Sequence, residues 1–188
     1  MILLAAGLAL FLGAHLLPAL PRARAALVAR RSERGYRLAF SIVSAAGLLM
    51  IVFGYIQAGT GEQLFPPFAA ARAIAPYAMT LAIILFAAAN MPSHVRARAK
   101  HPMLIGLIIW SGVHLLANGD LRGTVLFGSF LAYGVVDLAS VIRRRVIATF
   151  TPRVRADIVS VGAGVIVALL VMTFHRQLFG VRVVGFGV

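Results

Sequence analysis

The chain is expected to fold as an all-α, polytopic transmembrane bundle of about six helices. Three observations predict it. Apolar residues make up 61% of the 188, only 12% are charged, and apolar stretches of helix length recur with short basic runs between them. Soluble domains run near 45–50% apolar and about 25% charged, whereas the mean hydropathy here is +0.96. Within lipid a helix satisfies its own backbone, and the alternating pattern of a closed barrel is missing from this sequence.

Six segments qualify in turn: residues 2–20, 38–57, 73–91, 102–117, 123–142 and 158–179. Each is close to the ~20 residues that cross a ~30 Å hydrocarbon core. The fourth is short unless His101 joins it. The first lacks the basic leader of a signal peptide, since its arginine cluster follows rather than precedes it, and it reads as a mature helix. The longest loops have about 15 residues, too few to fold alone, so residues 1–188 read as a single domain.

The loops alternate in charge. Arg22, Arg24, Arg30, Arg31, Arg34 and Arg37 crowd the first against Glu33, and the second holds only Glu62 and Arg72. Arg96, Arg98 and Lys100 lie in the third, while the fourth has just Asp120 and Arg122. The fifth carries Arg143, Arg144, Arg145, Arg153 and Arg155. Basic loops stay on the cytoplasmic side, which puts loops one, three and five there and both termini opposite. Arg176 and Arg182 in the tail run against the pattern. The net charge of +13, from 18 Lys and Arg against 5 Asp and Glu, thus reads as topology and contact with anionic headgroups of the lipid bilayer, not as nucleic-acid binding. Cysteine is absent, which excludes disulfides, thiolate ligation and cysteine nucleophiles.

For packing, Ser41-xxx-Ala45 and Ser160-xxx-Gly164 are small-residue pairs that let helices approach closely in lipid. Function is sought among the polar residues of the helices. His15 stands in the first, His114 in the fourth and His175 near the end of the sixth, with His94 and His101 by the third loop. Leu107, Ser111, His114 and Asn118 share one face of the fourth helix. His101 and His114 are thirteen residues apart, about 20 Å along a helix and on different faces, too far for one metal ion. Pro102 suits a first helical turn and leaves His101 near the N-cap. Its functional version is a proton donor or gate at the membrane surface.

Imidazole in hydrocarbon faces a partner helix, a cavity or a metal. A lone one has a plain alternative, a hydrogen bond to a neighbouring helix's carbonyl. Three on three helices point toward a metal or haem, and haem iron suits them better than zinc or a di-iron centre, because neither a carboxylate cluster nor a Glu-x-x-His motif accompanies them. By helical rise His15 lies roughly 9 Å, His114 roughly 18 Å and His175 roughly 26 Å from the cytoplasmic edge. Spacing alone leaves both His15 and His175 open as partners of His114. Asp137 is expected to pair with Arg143–Arg145, and Asn118, Gly119 and Asp120 to form a turn.

The FLGAH of the first helix, KHPM followed by W-x-x-x-HLLANGD, LFGSFLAYGVVD and the final FH-x-x-LFGV together resemble the NnrU family over nearly the whole chain. That resemblance implies a bacterial inner-membrane protein associated with nitrite and nitric oxide metabolism in denitrifiers. The family is also similar to zeta-carotene isomerase, a membrane enzyme in which histidine-held haem b supports redox-dependent isomerisation of a polyene. Carried over, the axial ligands fall on His15 and His114, and His101 and His175 match further positions of the pattern. The isomerase has a cysteine three residues before its helix-four histidine, proposed as a switching ligand. Ser111 stands at that place here.

Two function classes follow. One is a haem b protein handling nitrogen oxides, electrons from a redox partner or a lipid-soluble substrate. The other is a non-catalytic accessory protein or transporter whose histidines bridge helices. Against ion transport, the helices offer few charges for a permeation path.

Overall fold

The computed structural model describes residues 1–180 and 183, so Arg182 of the tail and the last residue of the FH-x-x-LFGV match lie outside the described residues. The architecture is all-helical. In order come α1 (Ile2–Leu16), α2 (Pro21–Gln57), α3 (Ala69–Ala88), α4 (His94–Ala99), α5 (Pro102–Asn118), α6 (Leu121–Arg143), α7 (Val154–Thr173) and α8 (His175–Phe179). Counting the short turn that extends α1, five of these are long and apolar enough to cross a membrane; α5 is a shorter apolar helix of 17 residues. At 1.5 Å per residue α5 is about 25 Å long, near the hydrocarbon thickness. The chain is a multi-pass membrane protein, and its outward side chains agree: Ile42, Val52, Tyr77 and Ile166 are all exposed.

Helix ends follow their residues. Pro21 and Pro102 occupy first turns, where a missing amide hydrogen costs nothing. Ser93 Oγ accepts from the Arg96 amide to cap α4, and an Asp120 carboxylate oxygen accepts from the Gly123 amide to cap α6. Between α5 and α6, Gly119 takes φ 74°, a left-handed turn that glycine adopts without strain.

The spanning helices pack in a row, α2 on α1, then α1 on α6, α6 on α5, α5 on α3 and α3 on α7. Sequence neighbours run antiparallel. All helix ends near the arginine-rich segments therefore gather at one end of the bundle. The α1–α2 hairpin is held by glycines. A Cβ on Gly7 would sit 2.7 Å from the Ile51 amide nitrogen, one on Gly47 would sit 2.9 Å from that of Phe11, and one on Gly54 would collide with the Leu4 backbone. Contact this close is what small residues permit in lipid. At the other edge of the row, Ser160 is fully buried and a Cβ on Gly164 would lie 2.6 Å from Ile84 Cα, so the Ser160–Gly164 pair does seat α7 on α3.

The structure departs from the sequence reading in three places. Ser41 and Ala45 are exposed, and the close approach on α2 is made by Gly47 and Gly54 one face away. The arginine-rich first loop is itself helical: residues 21–31 form a helix that joins the second span through Ser32 at φ 63° and ψ 163°. Glu33 just beyond the break pairs with Arg24 at 2.8 Å and Arg37 at 3.0 Å, fixing the bend. Finally, the last span stops at Thr173, and His175 begins the separate α8.

Candidate functional site

Where α1 meets α6 the backbones stand apart and large side chains fill the space. Leu4, Leu8 and Ile51 form a buried cluster against which Phe11, Leu12, Val125, Leu126 and Phe130 pack. The two central histidines flank this seam. His15 stacks on Phe11 with ring centres 4.1 Å apart and meets Phe40 at 5.1 Å and Tyr133 at 6.4 Å. His114 meets Phe127 at 4.8 Å and Trp110 at 5.4 Å. Phe130 links the two sides, 6.0 Å from Phe11 and 5.6 Å from Trp110. Tyr133 and Phe127 are six residues apart on α6, so the imidazoles differ in depth by about 9 Å.

Both rings are prepared in the same way. Nδ1–H of His15 donates to the Phe11 carbonyl at 2.8 Å, and Nδ1–H of His114 donates to the Trp110 carbonyl at 2.9 Å. Each acceptor lies four residues back on the same helix. A carbonyl can only accept, so the hydrogen sits on Nδ1 and the Nε2 lone pair is left over in the neutral ring. Neither Nε2 has a hydrogen-bond partner among the described residues. The expected alternative, a bond to a neighbouring helix's carbonyl, is not what these rings make.

The polar stripe of α5 is tied along its own helix. Ser111 is fully buried, and its hydroxyl donates to the Leu107 carbonyl at 2.6 Å, with a longer contact to Ile108 at 3.4 Å. Asn118 Nδ2 donates to the His114 carbonyl at 2.6 Å. Beyond it the second loop is stitched to the α5–α6 turn. Gln63 Nε2 donates to the Asn118 carbonyl at 2.8 Å, and the amides of Leu64 and Leu121 donate to Gly119 and Glu62 at 2.9 and 2.8 Å. Arg122 closes this knot from its inner side, with one nitrogen donating to the Tyr55 carbonyl at 3.2 Å and its charge over the Tyr55 ring. Asp120 is the α6 cap within it.

The remaining acids and histidines fall elsewhere. His101 is the N-cap residue of α5 and its side chain makes no capping bond. His175 meets the Phe179 ring at 4.9 Å in a tilted arrangement. Asp137 makes no ion pair with Arg143–Arg145 among the described residues; it accepts from the Tyr133 hydroxyl at 3.1 Å, one turn deeper in the bundle. The reason is direction, since Arg143 is six residues on and off that face, Arg144 and Arg145 lie past the end of α6, and Tyr133 is on the same face, four residues back. Two features escaped the sequence reading. One is the ring cluster of Phe11, Trp110, Phe127 and Phe130, each of which reads alone as ordinary core. The other is the hydrogen bond of His94 with Asp157 at 2.6 Å, which docks α4 on α7. Only the tertiary fold brings those two together, 63 residues apart.

Searches of curated proteins and of solved structures find no match to this chain. A family model does match. The model described as NnrU protein aligns with residues 3–183, which takes in α1 through α8 and with them all five histidines. That extent, nearly the whole chain, makes this protein a member of the NnrU family.

Proposed function

We propose that this membrane protein holds haem b at the seam of α1, α6 and α5, with His15 and His114 as axial ligands. The observation that carries the reading is the shared preparation of the two rings, Nδ1–H fixed on a carbonyl of the same helix and the Nε2 lone pair left without a donor. Metal-ligating histidines are held in this manner, because the second bond fixes the tautomer and raises ligand basicity. The donor set suits haem. Among the described residues no group of three or more His, Asp or Glu converges as a zinc or di-iron site would need. The walls are apolar and aromatic, and Phe11, Phe130 and Trp110 stand between the imidazoles. For both histidines to hold haem, Phe11, Phe130 and Trp110 would have to turn aside, and their rings would then pack on it.

Bound haem would supply one-electron chemistry, and with both histidines on the iron a small diatomic molecule could coordinate only where His15 gives way. The chain's part is to fix two imidazoles, exclude water from the seam and keep His114 as a permanent ligand. Ser111 cannot relieve it. A hydroxyl is a poor substitute for thiolate, and this one is already committed to helix carbonyls. That favours nitrite and nitric oxide metabolism over a switch-driven isomerisation of a lipid-soluble substrate. The proposed setting is a bacterial inner membrane, with the arginine-rich end in the cytoplasm.

A second reading exchanges His15 for His175, the other partner that helical spacing leaves open for His114. Haem stoichiometry after haem-replete expression separates them. The purified chain should carry stoichiometric haem b, and His114→Ala should reduce occupancy at least about tenfold, the scale on which lost ligand support acts. Under the first reading His15→Ala does the same and His175→Ala does not; under the second the two exchange behaviour. A haem-free wild type contradicts both and leaves the histidines as structural parts of an accessory protein.

A further inference from the structure

The arginine-rich end of the α1–α2 hairpin holds two apolar clefts that share one cation. The larger, about 510 Å³, is lined among others by Leu10, Gly13, Leu17, Leu27, Phe40 and Arg31. Its volume falls within the about 300–1,000 Å³ of small-molecule sites. From Ala9 to Leu17, eight steps along α1 and the turn that extends it, it runs about 12 Å. One leaflet's hydrocarbon is about 15 Å deep, half of the whole core. The smaller, about 380 Å³, lies along Gly35, Leu38 and Ile42 and is again bounded by Arg31. The bend at Ser32 produces the arrangement, because it folds residues 21–31 across the top of the hairpin and sets Arg31 between the clefts.

The charges around them are unequal in their commitments. Glu33 is the sole acid of the segment, and Arg24 and Arg37 already take it. Arg30, Arg31 and Arg34 have no ion-pair partner among the described residues. A guanidinium between two apolar clefts one leaflet deep is complementary to a phosphate carrying two acyl chains. We propose that this end of the hairpin binds one anionic diacyl phospholipid, its phosphate on Arg31 and a chain in each cleft. A zwitterionic lipid fits less well, because its ammonium group would be repelled by Arg31, which borders both clefts. The proposal is independent of the haem reading.

Native mass spectrometry of the delipidated full chain in detergent tests it, with equimolar phosphatidylglycerol and phosphatidylcholine of identical chains. Phosphatidylglycerol should be retained at least about tenfold over phosphatidylcholine, about 1.4 kcal/mol, because both lipids offer the phosphate and only the choline ammonium is repelled by Arg31. Arg31→Gln should abolish most of that preference, and Arg98→Gln, in α4 at the same end, should preserve it. Gly13→Leu should lower retention of both lipids. A Cβ at Gly13 meets nothing within 4 Å, so leucine fills the cleft without disturbing the hairpin. Equal retention of the two lipids, an equal effect of Arg31→Gln and Arg98→Gln, or unchanged binding in Gly13→Leu would overturn the site.

Discussion

At the scale of single residues, the difference between the histidines lies in what their nitrogens touch. His15 and His114 spend Nδ1–H on their own helix and keep Nε2, whereas His94 spends Nδ1–H on Asp157 at the surface. His101 stands at the mouth of α5 with its side chain free of any capping bond. His101→Ala should therefore leave haem content unchanged, and loss of haem with the fold intact would put His101 beside the iron. Asp120 behaves as a cap: Asp120→Ala, which removes the acceptor for the Gly123 amide, should cost about 1 kcal/mol in thermal unfolding in detergent. Asp120→Asn, which can still cap, should cost less. Much of this was legible beforehand. Pro102 announces a helix start with His101 just before it, and ANGD announces a turn. The i−4 bonds of the imidazoles were not legible, because the same residue could equally reach a neighbouring helix. Asp137 went astray for a related reason, since proximity in sequence to three arginines says nothing about which way its carboxylate points.

At the scale of elements, the hydropathy of each span sets its existence and the small residues set its contacts. Six segments could be read directly, because every residue of a span must be compatible with lipid. Which face of a span meets a neighbour is a weaker signal. Ser41-xxx-Ala45 and the Gly47–Gly54 pair both read as small, but a Cβ at Gly47 or Gly54 would strike the α1 backbone, so only the glycines admit α1. Gly54→Val should destabilise the hairpin by about 1–3 kcal/mol, the usual cost of overpacking. Ala45→Val, on the exposed face, should stay within about 0.5 kcal/mol. Equal effects would mean that α1 and α2 do not pack as described. The helix over residues 21–31 was missed because its arginines resemble a solvated loop. Its bend places Ser32 in a backbone region that favours glycine, with strain of about 1–3 kcal/mol. Ser32→Gly should therefore raise the unfolding temperature or leave it unchanged.

At the scale of the whole molecule, a row of six apolar helices with its basic ends together has its topology written in the loops. Because the chain contains no cysteine, single-cysteine variants can be labelled from one side of the membrane without background. Thr60→Cys in the second loop should react with an impermeant maleimide added outside intact cells, and Thr149→Cys in the fifth should react only after lysis. The reverse pattern would invert the bundle. The same row puts α6 between the two histidine-bearing helices, α1 and α5, and the proposed haem would lie against α6. The reduced-minus-oxidised absorption spectrum of the purified protein after haem-replete expression tests that claim most directly. The account predicts a Soret band with sharp, low-spin bands on reduction. These should be lost or strongly altered in His114→Ala and His15→Ala and kept in His94→Ala. A colourless wild type, or unchanged spectra in both variants, would contradict it.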